Sequence, residues 1–352
     1  MIRIMTPKVS VIMSAYAEPI DWIKQSLDSI LCQTYGNYEI IIVNDKPDRE
    51  ELKNLLVDYS SKDSRVIIIS NEENIGLTKS LNKALNIANG KYIARMDADD
   101  YSHSTRFDKQ VAFLDSHPEI VMVGCYARVM DETGKIVDEM HTSDDYIYLR
   151  SMMPFNQPVY HPSMMYRREI EGTPIRYNEE MRVSQDYELC SRLIKYPLSN
   201  IPEYLLDYRM SAKQMTKVNK ANYITKDAPI RKKLLHQYYV GISEHDAEAF
   251  INMYYLQQVD KAKYKDVENF ILHLYYNNEK NQNVYIDSAM TFILVRYLKF
   301  LRENGTLMFT LHNFISINKK LGNKFYGMVI GRISKKVTTK VKYRILNKRC
   351  SI

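Results

Sequence analysis

The chain has 352 residues, of which 45% are hydrophobic and 26% charged, and its formal net charge is +7. This composition is that of a folded globular protein and excludes a disordered chain. The four cysteines are widely spaced and form no CxxC pair, so we expect neither a disulfide framework nor a zinc site, and we predict a reducing, cytoplasmic compartment.

Neither a signal peptide nor a transmembrane helix is expected. The residues before Val9 contain no long apolar segment. The longest apolar stretch, 289–301, is interrupted by Arg296 and Lys299. It is also shorter than the roughly 20 apolar residues that a membrane-spanning helix needs.

The first hundred residues alternate between short apolar runs and segments of helical periodicity. The runs predict strands, and the intervening segments predict helices. Such alternation indicates βαβ units and a parallel sheet with helices on both faces. Ligands bind to such sheets at the carboxyl ends of the strands. The predicted strands are 9–14, 39–43, 66–69 and 92–96, and Ser14, Asp45 and Asp97 to Asp100 fall at their carboxyl ends.

Beyond residue 100 the pattern is less regular. A helix is predicted over 104–116 and a strand over 120–125. The region 152–209 contains six prolines and is interpreted as irregular, apart from a helix near 186–194. Long helical segments follow from about residue 226, for example 266–276 and 287–302, so we place a domain boundary near 215–225.

Three carboxylates follow the fourth predicted strand within four positions. Asp97, Asp99 and Asp100 would repel one another and raise one another's pKa, so the cluster costs stability unless a positive charge lies there. A divalent metal with oxygen ligands, holding a nucleotide diphosphate, satisfies this requirement. The alternative is a solvated acidic loop in which Asp100 favours the N-terminus of the next helix.

Nine short motifs occur in order over the first 215 residues. They are VSVIMSAY (9–16), SILCQTY (29–35), EIIIVND (39–45), NIGL (74–77), GKYI (90–93), MDADD (96–100), HPSMMYRR (161–168), DYEL (186–189) and YR (208–209). Together they resemble the motifs of family 2 glycosyltransferases. The resemblance implies a GT-A fold, with a Rossmann-like, mostly parallel sheet flanked by helices, here followed by a C-terminal helical extension.

The resemblance also implies a division of the chain. We expect a GT-A catalytic domain at 1–215, with its nucleotide-sugar half at about 1–105 and its acceptor half at about 106–215. A helical domain would occupy 216–310 and a basic amphipathic tail 311–352.

On the donor side, the resemblance assigns roles to five residues. Ser14 and Asp45 would line a uracil pocket, with Asp45 accepting a hydrogen bond from the base. Asp97 would lie near the ribose, Asp99 would bind the metal, and Asp100 would be a supporting ligand. The metal would be Mn²⁺ or Mg²⁺, bridging the diphosphate. The alternative for Asp45 is a turn-forming residue beside Pro47.

For the chemical step, the resemblance assigns Asp186 as the general base that deprotonates the acceptor hydroxyl. Family members often have a Glu immediately before this Asp, but Gln185 stands there in this chain. The alternative for Asp186 is a residue that begins a helix.

Three further matches fall on the expected acceptor side. His161 and Arg167 match a family motif there, although a His before Pro is also a common structural turn residue. Arg209 matches a Tyr-Arg pair and would contact phosphate or form a surface salt bridge.

The C-terminal tail combines positive charge with regularly spaced apolar residues. From residue 304 onward there are eleven Lys and Arg and no acidic residue. We expect this amphipathic helix to contact an anionic membrane surface; the alternative is packing on the catalytic domain with a solvated basic face. Nucleic acid is not an expected partner, since no binding module accompanies the charge. The apolar residues recur every four positions at Phe325, Val329, Ile333, Val337, Val341 and Ile345.

The resemblance implies an inverting, metal-dependent hexosyltransferase, and the basic tail predicts that it lies at the inner face of the cytoplasmic membrane. It would move one sugar from a UDP-sugar to a hydroxyl of a growing, lipid-linked glycan in surface polysaccharide, capsule or lipopolysaccharide biosynthesis. No QxxRW motif of processive synthases is present. One alternative, a nucleotidyltransferase, lacks the expected Gly-rich loop after the first strand. The other, a non-catalytic nucleotide-sugar or glycan-binding protein, is favoured only by Gln185.

Overall fold

The computed structural model describes residues 7–211, 220–258, 260, 262–305 and 307–334. These residues form two units that we describe separately. The first comprises 7–146 and 159–211, and the second comprises 147–158 together with the described residues from 220 onward. A short segment between two strands of the first unit therefore belongs to the second.

The first unit begins with alternating strands and helices, as the apolar runs predict. The strands at 9–15, 38–44 and 92–95 are buried on both faces, which explains why they appear in the sequence as continuous apolar runs, whereas the edge strand at 66–70 is mostly half-buried. The elements are β1 (Val9–Ala15), α1 (Ile20–Leu31), β2 (Tyr38–Asn44), α2 (Glu50–Lys62), β3 (Val66–Ser70), α3 (Leu77–Ile87) and β4 (Tyr92–Arg95).

Shorter and less regular elements follow. They are β5 (Tyr101–Ser102), α4 (Arg106–Ser116), β6 (Met122–Met130), β7 (Ile136–Met140), α5 (Tyr146–Met152), a 3₁₀ turn (His161–Ser163), β8 (Met165–Arg167), β9 (Glu169–Ile170), β10 (Thr173–Pro174), α6 (Gln185–Leu193) and β11 (Leu198–Arg209). From Ile147 onward, α5 belongs to the second unit.

The main sheet has nine strands, eight of them in the order β3-β2-β1-β4-β8-β6-β11-β5, with β7 paired to β6. The first four strands are mutually parallel. Because β8 is antiparallel to both β4 and β6, and β11 is parallel to β6, β11 runs in the same direction as β4. The carboxyl ends of β1, β2, β4 and β11 therefore lie at one edge of the sheet.

Four strands, β8 to β11, lie in the region that the sequence analysis interpreted as irregular, and that interpretation was wrong for them. β8 is only three residues long, and β11 contains Pro202. The register of β11 against β6 shifts between Ile201 and Tyr204, so a bulge accommodates the proline, which has no N–H to donate.

The second unit is helical. Its core is rich in aromatic residues, including Phe155, Phe250, Phe270 and Phe300, all fully buried. Its helices are the remainder of α5, then α7 (Lys220–Tyr238), α8 (Glu244–Tyr254), α9 (Ala262–Asn278), α10 (Ile286–Asn304) and α11 (Leu307–Lys320), followed by helical residues 326–334.

The first part of the expected amphipathic tail contributes to this core. Phe325 and Val329 are fully buried, so the prediction that they lie on a membrane-facing surface was wrong. Ile333 is exposed. The remaining members of the apolar series, Val337, Val341 and Ile345, lie outside the described residues. Within the described part of the chain, none of the helices has both the length and the apolar character needed to cross a bilayer.

Replacing Phe155 by alanine is expected to destabilise the second unit by about 3–5 kcal/mol, because it empties a fully buried aromatic site. The ring lies 5.5 Å from the rings of both Tyr239 and Phe250. Urea unfolding followed by far-UV circular dichroism measures the loss. Val240→Ala, at a 62% exposed position of the same unit, is the control and should change stability by less than about 0.5 kcal/mol. Equal stabilities of the two variants would contradict the packing described here.

Candidate active site

The three carboxylates of the acidic cluster converge at the carboxyl end of β4. One oxygen from each of Asp97, Asp99 and Asp100 lies within 4.8 Å of the others. Asp100 is 1% exposed, whereas Asp97 and Asp99 are partly exposed. Oxygen ligands converging from one loop, some facing solvent, are the ligands that a hard divalent cation prefers.

Burial and mutual repulsion raise the pKa of two carboxyl groups of the cluster. Burial, followed by the negative charges of Asp97 and Glu18, raises the pKa of Asp99 to about 7. Burial and the charges of Asp99 and Asp97 raise the pKa of Asp100 well above its usual value. Oδ2 of Asp100 is buried and has no hydrogen-bond partner among the described residues. A divalent ion bound here would favour the ionised carboxylates, so the residues present fit such an ion.

Two buried arginines lie next to the acidic cluster. The Arg95 side chain is 1% exposed and forms an ion pair with the carboxylate of Asp97. Arg106 is fully buried, and its Nη2 donates to the carbonyl oxygen of Arg95 at 2.9 Å. The protein itself therefore supplies part of the positive charge that the sequence analysis attributed to a metal alone. The sequence analysis missed both arginines, although Arg95 lies only two positions before Asp97.

Arg209, at the carboxyl end of β11, holds the acidic loop in place. Its backbone N–H donates to Oδ1 of Asp100 at 2.8 Å, and its Nε donates to the carbonyl oxygen of Asp99 at 2.8 Å. The guanidinium also lies over the ring of Trp22, 4.8 Å from its centroid. Arg209 is 2% exposed, so the predicted alternative of a surface salt bridge is wrong.

Ser14 and Asp45 lie near the carboxyl ends of the adjacent strands β1 and β2. Asp45 is 2% exposed, and its Oδ1 accepts a hydrogen bond from the Ile75 backbone N–H at 2.9 Å. Its Oδ2 accepts one from the Gly76 backbone N–H at 3.0 Å. Asn71 Nδ2 donates a third, to Oδ1, at 2.7 Å. An ionised carboxylate has about four acceptor positions, so one remains for a ligand N–H.

These bonds also bear on the alternative role of Asp45 as a turn residue. The turn toward Pro47 is instead closed by Asn44, whose Oδ1 accepts a hydrogen bond from the Lys46 N–H at 3.0 Å. The carboxylate of Asp45 joins the end of β2 to the loop before α3, a long-range contact that the sequence pattern did not indicate.

Asp186 lies in the first turn of α6 and is partly exposed, while the preceding Gln185 is 7% exposed. The residue before them, Ser184, has φ 56° and ψ 23°, in the left-handed region that non-glycine residues rarely occupy. Such backbone conformations occur preferentially at functional sites, where the surrounding structure maintains them.

His161 lies in the interior of the first unit and is 8% exposed. Its Nε2 is 2.8 Å from the Tyr177 hydroxyl, and burial lowers its pKa well below the usual value. It begins the 3₁₀ turn, so the predicted alternative of a structural turn residue describes it.

Arg167 lies at the opposite edge of the sheet, and its assignment to the acceptor side was wrong. It pairs in register with Tyr92, at the start of β4, whereas the acidic cluster follows the end of that strand. Its guanidinium donates to the carbonyl oxygens of Leu114, His117 and Ile120 at 2.9–3.0 Å. These bonds satisfy carbonyl groups at and beyond the C-terminus of α4.

Comparison with solved structures supports the fold. The crystal structure of S. aureus TarS 1–349 in complex with UDP-GlcNAc superposes with a TM-score of 0.56, covering 90% of this chain and 92% of that chain. The sequence identity is 15%, so this likeness concerns the fold alone.

Comparison with known sequences identifies the family. The model of glycosyl transferase family 2 matches residues 10–172. The uncharacterized glycosyltransferase MJ1057 of Methanocaldococcus jannaschii is 36% identical over 237 residues, which is 66% of this chain and 78% of the relative. The O-antigen biosynthesis glycosyltransferase WbnJ of Escherichia coli is 31% identical over 220 residues, 61% of this chain and 84% of the relative. The predicted family and fold are confirmed: the chain belongs to glycosyltransferase family 2 and has a GT-A fold with a helical extension.

Proposed function

We propose that this glycosyltransferase moves one sugar from a UDP-sugar to a hydroxyl of a growing glycan, with inversion at the anomeric carbon. The main support is the acidic cluster at the carboxyl edge of the sheet. There a buried Asp100 oxygen lacks a partner among the described residues, and the pKa of Asp99 is raised to about 7. Both features fit a site for Mn²⁺ or Mg²⁺ with a bound diphosphate.

On the donor side, each residue has a distinct task. Asp99 and Asp100 would hold the divalent ion, which, when bound, neutralises the charge of the departing diphosphate. Asp45 would accept the N–H of the uracil base at its fourth acceptor position, with Ser14 beside it. Asp97 would face the ribose, and its ion pair with Arg95 fixes the orientation of its carboxylate.

On the acceptor side, Asp186 would accept the proton of the acceptor hydroxyl. As this proton leaves, the hydroxyl oxygen forms a bond to the anomeric carbon and the bond from that carbon to the diphosphate breaks. A single displacement of this kind inverts the configuration. Gln185 is neutral, whereas the Glu that family members often have at this position would place a second negative charge next to Asp186.

The acceptor class and location rest on different observations. The O-antigen name of the WbnJ relative supports a surface polysaccharide as the class of glycan. We further propose that this glycan, a capsule or lipopolysaccharide, is assembled on a lipid carrier at the cytoplasmic face of the membrane. In the second unit, Tyr326, Ile330 and Ile333 are 41–48% exposed on the last described helical segment, together with Arg332. Apolar side chains beside basic ones suit contact with an anionic membrane surface.

Removal of divalent metal tests this proposal. The purified protein should release UDP from a UDP-sugar in the presence of an acceptor glycan and Mn²⁺, and EDTA should abolish the release until Mn²⁺ or Mg²⁺ is restored. Full activity in EDTA would refute the metal site, and a preference for GDP-sugars would refute the uracil pocket. NMR of the new glycosidic bond measures whether the anomeric configuration is inverted.

A further inference from the structure

Helix α3 bonds to the segment that leads into Asp186. We propose that Thr78 and Asn82, on the buried face of α3, are positioning residues that place this carboxylate for catalysis. The inference rests on the proposed function, which makes Asp186 the general base. Thr78 and Asn82 are 4% and 7% exposed, so neither contacts substrate in this arrangement.

The contacts of these two side chains span residues 177–181. Asn82 Nδ2 donates to the carbonyl oxygen of Tyr177 at 2.9 Å, and its Oδ1 accepts from the Tyr177 N–H at 3.0 Å. The Thr78 hydroxyl donates to the carbonyl oxygen of Met181 at 2.6 Å. All three of these partners are backbone groups of one short loop, and all three are bonded to side chains of α3. A fourth hydrogen bond joins side chains: Glu179 Oε1 accepts from Asn82 Nδ2 at 3.0 Å.

The backbone after this loop needs such support. Ser184 has a left-handed conformation, which costs a non-glycine residue about 1–3 kcal/mol and persists only when its surroundings maintain it. Met181 and Val183, on the approach to Ser184, are buried. Releasing the loop from α3 would allow Ser184 to relax, and this would rotate the first turn of α6, where Asp186 lies.

The N-terminus of α3 is also attached to the donor side. The Ile75 and Gly76 N–H groups, which precede Leu77, donate to Asp45, and Ser80 Oγ accepts a hydrogen bond from Asn71 Nδ2 at 3.0 Å. The same helix is therefore bonded to the residue proposed to bind the base and to the loop that presents the catalytic carboxylate. This arrangement sets the distance between donor and base, and an error of about 1 Å in that distance can cost about 100-fold in rate.

A matched pair of variants tests the inference. Thr78→Val keeps the shape of the side chain but removes the donor to Met181, whereas Thr78→Ser keeps the hydroxyl. We expect Thr78→Val to lower kcat by about 10- to 100-fold, with the KM for donor and the Kd for UDP changed less than about twofold. Thr78→Ser should retain most of the wild-type kcat. Lys83→Ala, on the exposed face of α3, is the control and should resemble wild type.

A second substitution guards against a failure of Thr78→Val to fold. Asn82→Asp keeps the acceptor for the Tyr177 N–H, loses the donor, and places a negative charge beside Glu179. It should give the same loss of kcat at nearly constant KM. Wild-type kcat in both Thr78→Val and Asn82→Asp, with Asp186→Asn inactive, would overturn the inference and leave the proposed function intact. Full activity of Asp186→Asn would instead refute the proposed base.

Discussion

Replacing Asp186 by asparagine is expected to lower kcat by about 10²- to 10⁴-fold, which is the usual contribution of a positioned general base. The amide has nearly the same size as the carboxylate but does not accept a proton at neutral pH. Because Asp186 lies at the start of α6 and not among the donor-side residues, the affinity for UDP should stay unchanged. Initial rates of sugar transfer and calorimetric titration with UDP measure the two quantities separately.

A suitable control for this variant is Glu180→Gln. Glu180 is an exposed carboxylate in the loop before α6, so its substitution removes the same charge from the same region. Its kcat should stay within about twofold of wild type. Undiminished transfer by Asp186→Asn, or equal losses in both variants, would show that Asp186 is not the base.

Replacing Asp99 by asparagine is expected to have two opposite effects. Transfer in the presence of Mn²⁺ should fall at least about 100-fold, since a bound metal contributes several kcal/mol of charge stabilisation to the departing diphosphate. The metal-free protein should become more stable, because the substitution removes one of three crowded negative charges. Steady-state rates and thermal unfolding in EDTA measure these effects.

Thermal unfolding with added Mn²⁺ separates a metal site from a merely acidic loop. An ion at about 100 times its Kd stabilises the folded state by about 2.7 kcal/mol, so Mn²⁺ should raise the Tm of the wild-type protein. It should raise the Tm of Asp99→Asn far less. Glu73→Gln, at an exposed position, should respond like wild type. An equal rise in all three proteins would place the ion elsewhere.

The elements that the sequence predicted well are those whose burial shows locally. The run predicted at 9–14 became β1 (Val9–Ala15), because a strand covered on both faces needs consecutive apolar residues. β8 and β11 escaped prediction for another reason. Three residues are too few to show a period of two, and a proline usually excludes a strand unless a bulge accommodates it, as the bulge between Ile201 and Tyr204 does for Pro202.

In the candidate site, too, features that are local in sequence were predicted and long-range contacts were not. Asp97, Asp99 and Asp100 are adjacent in sequence, so their clustering was evident from the chain alone. Arg209 contacts the same loop from more than a hundred residues away, and its hydrogen bonds depend on β11 running parallel to β4. The Arg167 error has a related cause. A motif match identifies a residue type, but only the strand register shows toward which edge of the sheet it lies.

The inclusion of residues 147–158 in the second unit has a consequence for synthesis of the chain. Phe155 packs its ring 6.3 Å from that of Phe292 on α10, and these residues are made far apart in time. At about 5–20 residues per second, Phe292 follows Phe155 by roughly 7 to 27 s. During that interval segment 147–158 has been synthesised, but the helices that complete its hydrophobic core have not. Slow translation of the last helices would lengthen this interval. The exposed aromatic side chains of the segment could then bind chaperones or neighbouring nascent chains.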